Sequence, residues 1–408
     1  MRILYTLFIR KYYLLILLFS LFNDKAKLWI NGRKNQGFAK LGATQNLIWI
    51  HASSLGEFEQ GRPIIELIKS RYPSKKILLT FFSPSGFEVR KNYKKADFVY
   101  YLPLDTNRNA KEFLDTFKPE LAIFIKYEYW YNFLNELIIR NIPYYFVSSI
   151  YRKNQLFFKS WGFWFRKHLA KANHIFCQDE NSKFLLESIG ILNVTVAGDT
   201  RFDRVNQVCS HPPHVDFISD FALNYKTILA GSSWPADEII LKNFMEDADS
   251  DIKLILAPHN IDKEHIESIF KLFEKYKPQL FSETNSDKKN RQSRVLIIDS
   301  MGMLMHLYQY CKIAYIGGGF GAGIHNILEA AVFAKPVIFG PKYQKFKEAI
   351  DMISLGGAFS INNFNEFSKI ANNLLDNQNA YDEASSIAKK YVNDNLGASE
   401  KIVDKIIS

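Results

Sequence analysis

The sequence predicts an α/β protein with two doubly wound domains, a cleft between them and a short membrane-associated helix in front. From residue 47 onward, short apolar runs alternate with amphipathic stretches, the pattern of parallel strands joined by helices. This series breaks at the proline-containing stretch 207–217 and then begins again. The first 34 residues belong to neither series, because they are strongly apolar and are edged with cations.

The N-terminal segment, residues 1–34, contains an apolar run from Tyr12 to Phe22 that is shorter than the roughly 20 residues of a spanning helix. A signal peptide is one alternative, but no small-residue cleavage site follows the run. A buried core helix is another. We favour a helix lying in the bilayer face, because anionic lipid head groups suit the flanking cations. These cations are Arg10, Lys11, Lys25, Lys27, Arg33 and Lys34.

Two series of apolar runs predict the strands of two Rossmann-like domains. The first series comprises 47–51, 76–82, 97–103, 121–126, 144–149, 174–178 and 193–198. The second comprises 227–233, 252–258, 294–300, 312–319 and 336–340. We therefore assign 35–206 to the first domain, 207–224 to a linker and 225–408 to the second domain, with the polar segment 282–293 as a surface loop.

The net charge indicates the kind of partner, and the cysteines indicate the redox compartment. Lysine and arginine number 52 against 42 aspartates and glutamates, and this excess favours an anionic partner: nucleic acid, a membrane surface or a phosphorylated substrate. The sign of the charge does not choose among them. Cys177, Cys209 and Cys311 are far apart and show no CxxC spacing, which indicates a reducing compartment. No cysteine–histidine cluster predicts a structural metal.

The loops that follow the strands are the places to search for chemistry, since parallel sheets bind ligands beyond the carboxyl ends of their strands. The first such loop, in HASSLGE (51–57), carries Ser53 and Ser54 as candidate helix caps, and Glu57 at the start of a helix. Glu57 has two interpretations. It is either a first-turn acid stabilised by the helix dipole or a general base in a partly dry cleft.

Three further loops of the first domain carry polar residues. Ser83, Ser85 and Gly86 form either an anion site or an ordinary capped helix start. Lys126, Glu128 and Trp130 form either a structural ion pair or an acid beside an aromatic shelf for a sugar. Arg201 is either a solvated charge or a ligand for a phosphate or carboxylate.

The second domain contains the strongest motif, in which glycine fills five of the seven positions from Gly317 to Gly323. We expect a helix from Ile324 onward, whose N-terminus and glycine amides would attract a phosphate. On this largely apolar helix, Glu329 could accept hydrogen bonds from two ribose hydroxyls. The loop lacks both a dinucleotide-binding GxGxxG pattern and the GK[ST] of a phosphate-binding P-loop.

The order and spacing of these motifs resemble the Kdo (3-deoxy-D-manno-octulosonic acid) transferase family, which are inverting glycosyltransferases of the GT-B architecture. The resemblance covers nearly the whole chain from about Trp29. It rests on HASSLGE, YLPLD (101–105), KYEYWYN (126–132), GDTRFD (198–203), GSSWPADE (231–238), LAPHNIDKE (256–264), DSMGML (299–304) and GIHNILEAA (323–331).

This resemblance implies roles for individual residues. Glu57 corresponds to the catalytic base, and Glu128 and Arg201 to residues that stabilise the transition state. The positions that would bind the CMP part of the donor CMP-Kdo are Pro258, His259, Met301, Gly302, Met303, Asn326, Ile327, Leu328 and Glu329. The first domain would then bind the acceptor and the second the CMP-sugar.

The resemblance also implies the setting. The acceptor would be lipid IVA or a related lipid A precursor at the cytoplasmic face of the inner membrane, with anionic lipids as further partners. No cofactor, metal or nucleic acid is expected. The chain departs from the family pattern at Lys126 and Met303, where glutamate is usual, at Arg201, where lysine is usual, and at His259, where arginine is common.

Two other functions remain open from the sequence. One is a different GT-B enzyme, either another nucleotide-sugar transferase or a UDP-sugar epimerase. The other is a non-catalytic membrane protein that binds acidic lipids.

Overall fold

The protein divides into two compact units, one formed by residues 1–204 with 396–408 and the other by Val205–Asn395. A computed structural model describes residues 2–38, 45–284 and 292–407. Each unit is built around its own parallel sheet of seven strands, which confirms the predicted pair of doubly wound α/β domains.

The first unit has the strand order β3-β2-β1-β4-β5-β6-β7. Its strands are β1 (Leu47–Ala52), β2 (Lys76–Phe81), β3 (Phe98–Tyr101), β4 (Leu121–Ile125), β5 (Tyr144–Ser149), β6 (His174–Cys177) and β7 (Val194–Val196). Its helices are α1 (Arg2–Phe19), α2 (Asp24–Asn35), α3 (Leu55–Arg71), α4 (Pro84–Arg90), α5 (Asn107–Phe117), α6 (Tyr131–Ile139), α7 (Phe163–Ala170), α8 (Glu180–Glu187) and α18 (Ala398–Ile406), together with the first half of α9 (Thr200–Cys209), which runs across the division at Arg204.

Strand β1 shows why this sheet forms. All six of its residues are buried, since successive side chains point to opposite faces and helices cover both. Leu47 and Trp49 enter one core with Phe113 of α5. Ile48 and Ile50 enter a second core on the other face. A continuous apolar run is therefore the expected signature of this strand.

The second unit has the strand order β10-β11-β9-β8-β12-β13-β14. Its strands are β8 (Lys226–Ser233), β9 (Ile252–Pro258), β10 (Gln279–Leu280), β11 (Val295–Ile297), β12 (Ile313–Ile316), β13 (Val337–Phe339) and β14 (Ala358–Ser360). Its helices are α10 (Asp216–Ala222), α11 (Pro235–Asp247), α12 (Lys263–Leu272), α13 (Leu304–Leu307), α14 (Leu328–Ala331), α15 (Lys347–Leu355), α16 (Phe364–Asp376) and α17 (Gln378–Asp394).

Helix α1 packs one side on the first unit and exposes the other. The Tyr5 hydroxyl donates to Asp105 Oδ2 at 2.6 Å, and Ile9 is only 5% exposed. On the other side, Phe8 and Leu15 are 64% and 65% exposed. Among the described residues, no helix has the length and apolarity to cross a membrane. Membrane association of this segment stays a prediction.

The contacts of Arg33 differ from the prediction that its side chain meets lipid head groups. Its Nε donates to the Leu102 carbonyl at 2.9 Å and one terminal nitrogen donates to the Phe82 carbonyl at 2.7 Å. Its Cζ lies 3.9 Å from the Trp29 ring centroid. Arg33 therefore joins α2 to the sheet as a structural cation.

The boundaries of the domains also differ from the sequence assignment. The stretch 207–224 is not a plain linker, because it contains the end of α9 and all of α10. Residues 396–408, assigned to the second domain, belong to the first unit, where α18 packs on α3. Asp203 holds this C-terminal segment to the first unit, because its carboxylate accepts from the backbone N–H groups of Gly397 (2.7 Å) and Ser399 (2.6 Å). Within the loop predicted at 282–293, residues 285–291 lie outside the described chain.

Candidate active site

In each sheet, the predicted chemistry lies at a point where the strand order reverses. In the first sheet this point is between β1 and β4. Adjacent crossovers leave on opposite faces at such a point, which opens a crevice beyond the strand ends. Glu57 follows β1 and Glu128 follows β4, so the two acids come from the two strands that flank the crevice.

Glu57 is held by the first turn of α3. Ser54 is the N-cap, and its Oγ accepts from the Glu57 N–H at 3.5 Å. In return, Glu57 Oε2 accepts from the N–H groups of Ser53 at 2.6 Å and Ser54 at 3.1 Å. This is a capping box, which satisfies backbone donors that the helix leaves open. Glu57 is therefore a first-turn acid of α3, as the structural interpretation has it, and this capping role does not exclude a role as a base.

Glu128 lies deeper, with 6% of its surface exposed. Its Oε2 accepts from Trp130 Nε1 at 2.7 Å and lies 3.0 Å from His51 Nε2. The Trp130 indole N–H also lies 3.0 Å from His51 Nε2, so the three side chains form one hydrogen-bonded cluster. Lys126, between β4 and Glu128, has a φ of 62°, a left-handed conformation that costs energy in a residue with a Cβ. The chain thus turns sharply where the sheet ends.

The electrostatics of Glu57 suit proton transfer. Burial, and next the negative charge of Glu128, raise the pKa of Glu57 to about 7. The Ser53 N–H, Lys126 and the Ser54 N–H oppose this rise by stabilising the charged form. A carboxylate whose pKa lies near neutral pH is well matched to general-base catalysis. The capping role and the basic role are therefore compatible in one side chain.

In the second unit, a pocket of about 390 Å³ lies at the reversal point between β8 and β12. Six residues predicted to bind the nucleotide line it: Pro258, His259, Met301, Gly302, Asn326 and Glu329. Glu329 Oε1 accepts from Asn326 Nδ2 at 3.1 Å, which fixes the carboxylate at the wall. The pocket size lies within the range of small-molecule sites.

Three rings stand together at this pocket. His259 stacks on Trp234 with a centroid distance of 4.6 Å and on His325 at 4.7 Å. Trp234 Nε1 donates to His325 Nε2 at 3.3 Å. Burial and the neighbouring His259 lower the pKa of His325. Because the indole N–H points at Nε2, neutral His325 carries its proton on Nδ1.

The glycine-rich loop has a packing role that the sequence did not predict. A Cβ at Gly317 would lie 2.2 Å from the Ser232 carbonyl oxygen, and Gly318 has a φ of +91°. The Gly318 N–H donates to Asp237 Oδ2 at 3.0 Å. Among the described residues that line the pocket, none comes from 317–323. The predicted helix from Ile324 is also wrong, since α14 begins at Leu328 and has a single turn.

Two curated proteins are similar to this chain over most of its length, and the chain spans 58% of the first and 83% of the second. The chain is 29% identical over 378 residues to a bifunctional glycosyltransferase/methyltransferase of Fusobacterium nucleatum, covering 89% of this chain but 58% of that protein. It is 32% identical over 327 residues to the 3-deoxy-D-manno-octulosonic acid transferase of Aquifex aeolicus, covering 78% of this chain and 83% of the relative. This chain belongs to the 3-deoxy-D-manno-octulosonic acid transferase family.

A family model agrees with this membership, and a solved structure shows the same fold. The family model described as 3-deoxy-D-manno-octulosonic-acid transferase (kdotransferase) matches residues 31–204, a range that includes Glu57, Glu128 and Arg201. In fold, the chain is similar to UDP-GlcNAc 2-epimerase from Neisseria meningitidis bound to UDP-GlcNAc. The TM-score is 0.64 at 16% identity, covering 88% of this chain and 99% of that structure.

Several residues predicted from the family pattern lie elsewhere than expected. Arg201 forms an ion pair with Asp199, with Nε to Oδ2 at 2.7 Å, rather than standing as a solvated charge. Met303 does not line the pocket, and its sulfur accepts from Ser300 Oγ at 3.1 Å. Ile327 and Leu328 are fully buried in the core and support the pocket wall from behind.

His51 is the residue that sequence reasoning missed in this Kdo transferase family member. It lies in β1, is fully buried, and contacts Glu128 directly. The available signal was a single ionisable residue inside the otherwise apolar strand LIWIHA. The stretch with Ser83, Ser85 and Gly86 is a capped helix start, as one of its two interpretations has it, and the anion site stays a prediction. Ser83 caps α4, and a Cβ at Gly86 would lie 2.3 Å from the Phe81 ring.

A metal site was not expected. Within residues 2–38, 45–284 and 292–407, no group of three or more His, Cys, Asp or Glu side chains is placed to hold a metal ion. The three cysteines are all free thiols.

Proposed function

We propose that this glycosyltransferase moves Kdo from CMP-Kdo to a lipid A precursor, lipid IVA or a close relative, with Glu57 as the catalytic base. The observation that carries the proposal is the environment of Glu57. It combines a position at the reversal point of the first sheet with a pKa raised to about 7. Membership of the family supports the sugar, and the acceptor follows from the family resemblance.

The proposed reaction is a single displacement with inversion. Glu57 takes the proton of the acceptor hydroxyl while that oxygen attacks the anomeric carbon of Kdo. The bond from this carbon to the phosphate oxygen breaks, and CMP leaves from the opposite face. Glu128 keeps Glu57 basic, because a second negative charge disfavours a negative Glu57 and so favours its protonated form.

Arg201 is proposed to act on the leaving group. The Arg fork can bind a phosphate or a carboxylate in two-point fashion. Its Nε is aligned by Asp199, and 29% of its side chain is exposed. The donor carries a single phosphate, so one guanidinium can balance much of the negative charge that develops on this phosphate as CMP leaves. The proposal therefore includes no metal.

The pocket of the second unit is proposed to bind CMP. The stacked rings of Trp234, His259 and His325 offer flat surfaces at its edge. Glu329 is placed to accept hydrogen bonds from ribose hydroxyls, which are donors. Among the described lining residues, the basic side chains are the two histidines, with no lysine or arginine. Among these lining residues, only a protonated His259 or His325 could therefore place a positive charge beside the phosphate of CMP.

Association with the cytoplasmic face of the inner membrane completes the proposal. The outer side of α1 is apolar, with Leu18 and Phe19 at 63% and 67% exposure. The segment 152–171 has six lysines and arginines and no acid, and it includes Phe163, which is 65% exposed. Ring contacts of Tyr5 with Trp164 and Phe165 join this segment to α1. An apolar surface beside cations suits an anionic bilayer.

CMP release is the measurement that separates the open functions. The purified full chain is incubated with CMP-Kdo generated in situ, with and without lipid IVA, and in parallel with UDP-N-acetylglucosamine. We expect CMP release that depends on lipid IVA and no change in the UDP-sugar. Conversion of the UDP-sugar would favour an epimerase or another nucleotide-sugar enzyme. Lipid binding without CMP release would favour a non-catalytic protein.

A further inference from the structure

We propose that the buried hydroxyl of Tyr308 binds the ribose of the nucleotide and, together with Glu329, makes the pocket of the second unit selective for nucleotides that keep both ribose hydroxyls. The inference rests on the proposed function, because it concerns the sugar of the CMP that this pocket is proposed to bind. It gives a role to a residue that has none in the proposed reaction. Tyr308 begins the short 3₁₀ turn Tyr308–Tyr310, which directly follows α13.

The burial of Tyr308 is the first observation. The residue is only 1% exposed, and yet it is one of those that line the pocket. Within the described parts of the chain, no backbone or side-chain group forms a hydrogen bond with its hydroxyl. A buried hydroxyl without a partner is unfavourable, and phenylalanine would fill the same space without this cost. The hydroxyl therefore points to a polar partner that a ligand supplies.

Gly231 shows that the fold makes room for this hydroxyl. It lies inside strand β8, where a glycine weakens the strand and often marks the close approach of another group. A Cβ at this position would lie 2.0 Å from Tyr308 Oη and 3.0 Å from Tyr308 Cζ. The group that approaches is thus the hydroxyl end of the ring. Any side chain at position 231 would displace it.

The neighbours of the hydroxyl place it on the pocket side. Ser232, which follows Gly231, lines the pocket and has a φ of 53°, at the point where the register of β8 on β9 shifts. Glu329 lines the same pocket. Burial, and next the negative charge of Glu329, raise the pKa of Tyr308. The hydroxyl therefore keeps its proton at neutral pH and can donate it in a hydrogen bond.

A ribose with free 2′ and 3′ hydroxyls matches these two groups. Asn326 Nδ2 donates to Glu329 Oε1 at 3.1 Å, which holds the carboxylate at the pocket wall. An ionised carboxylate only accepts, so it takes the protons of the ribose hydroxyls, whereas Tyr308 donates to the lone pair of one of their oxygens. A sugar that lacks this oxygen would leave the Tyr308 hydroxyl buried and unpaired. Sites built in this way reject the analogue that lacks the group.

The test is the affinity of the full chain for CMP, 2′-deoxy-CMP and 3′-deoxy-CMP, measured by calorimetry with wild type and Tyr308→Phe. We expect the wild type to bind CMP more tightly than either analogue. In Tyr308→Phe, the affinity for CMP should fall about 3- to 10-fold, the range of one hydrogen bond between neutral groups. The affinity for one of the two analogues should stay unchanged, because that analogue already lacks the partner of Tyr308. Equal losses for all three nucleotides, or no loss for any, would overturn the inference.

Tyr310→Phe is the matched control. Tyr310 belongs to the same turn, but its hydroxyl has a protein partner, since it accepts from the Val215 N–H at 2.7 Å. This variant should unfold at a lower temperature than the wild type and should keep the preference for CMP over both analogues. Tyr308→Phe should show the reverse: in the absence of nucleotide it should unfold at the wild-type temperature or above, because the deleted hydroxyl has no protein partner. A lower midpoint with unchanged preferences would overturn the inference in favour of a structural tyrosine.

The same measurements with UMP, 2′-deoxy-UMP and 3′-deoxy-UMP separate this inference from the proposed function. If the pocket binds UMP in preference to CMP, the proposed function fails, and the uridine series then tests the role of Tyr308 by the same criteria. The expected loss of ribose selectivity in Tyr308→Phe without any transfer of Kdo would count against the proposed function alone. Kdo transfer by the wild type together with unchanged ribose selectivity in Tyr308→Phe would overturn this inference alone.

Discussion

Replacing Glu57 by glutamine should make the protein more stable and nearly inactive at the same time. The glutamine Oε1 can accept the same two N–H bonds from Ser53 and Ser54, so the capping of α3 is retained. What the variant loses is the negative charge. That charge is unfavourable in the folded state, because burial and Glu128 raise the pKa of Glu57 from 4.5 to about 7.

The size of the effect follows from this shift. One pKa unit corresponds to about 1.4 kcal/mol, so ionised Glu57 costs the folded protein about 3 kcal/mol. Below pH 4.5 the carboxyl is protonated in both folded and unfolded chains, and this cost is absent. As the pH rises from 4.5 to 7, the unfolded chain ionises first, and stability falls until the cost is complete above pH 7. Glutamine never incurs it.

The assay is thermal unfolding of wild type and Glu57→Gln between pH 4 and 8.5. The two midpoints should agree near pH 4, and above pH 7 the variant should unfold about 6–12 °C higher, at about 2–4 °C per kcal/mol for a unit of this size. Glu112→Gln, whose side chain is 57% exposed, is the matched control and should show no such pH dependence. In the transfer assay, kcat of Glu57→Gln should fall at least about 100-fold. Equal midpoints at pH 8, or retained activity, would refute the reasoning.

Three further predictions concern the donor and the membrane. His259→Arg should tighten CMP binding measured by calorimetry, because a guanidinium offers the phosphate a permanent charge and a two-point fork; equal or weaker affinity in the variant would contradict this. Glu329→Gln should weaken CMP binding about 10-fold through the loss of charge-assisted hydrogen bonds, whereas unchanged affinity would remove Glu329 from the ribose site. Leu15→Asp with Leu18→Asp should abolish co-flotation with anionic vesicles, while Leu192→Asp, at a position 76% exposed on the same unit, should not; equal losses would exclude α1 as the contact.

Much of the fold could be predicted because buried parallel strands are continuous apolar runs. All twelve predicted strands are confirmed within a few residues, from β1 at Leu47–Ala52 to β13 at Val337–Phe339. Two edge strands were missed, since β10 has two residues and β14 has three, which is too short for a periodic signal. The amphipathic pattern of α18 shows which face is buried but not which unit covers it, so its return to α3 could not be predicted.

The candidate site was predictable to the extent that it follows strand ends. The rule that ligands bind beyond the carboxyl ends located Glu57, Glu128 and the pocket near His259. It could not give contacts that join distant segments, such as His51 to Glu128 or Trp234 to His325. The helix start at Ile324 was misjudged because buried apolar residues in a loop resemble a helix in sequence. Close packing of Gly317 on β8 and of Gly319 on Gly340 could not be predicted from the sequence, and the anion-binding role of the glycine loop stays a prediction.

The most direct test of the account is mass spectrometry of the lipid product. Purified wild-type chain, lipid IVA and CMP-Kdo generated in situ are compared with the same mixture containing Glu57→Gln. We predict lipid IVA carrying one or more added Kdo residues with the wild type and essentially unmodified lipid with the variant. Unmodified lipid IVA from a folded wild-type chain, or equal product from both proteins, would contradict the central claim that Glu57 is the base for Kdo transfer.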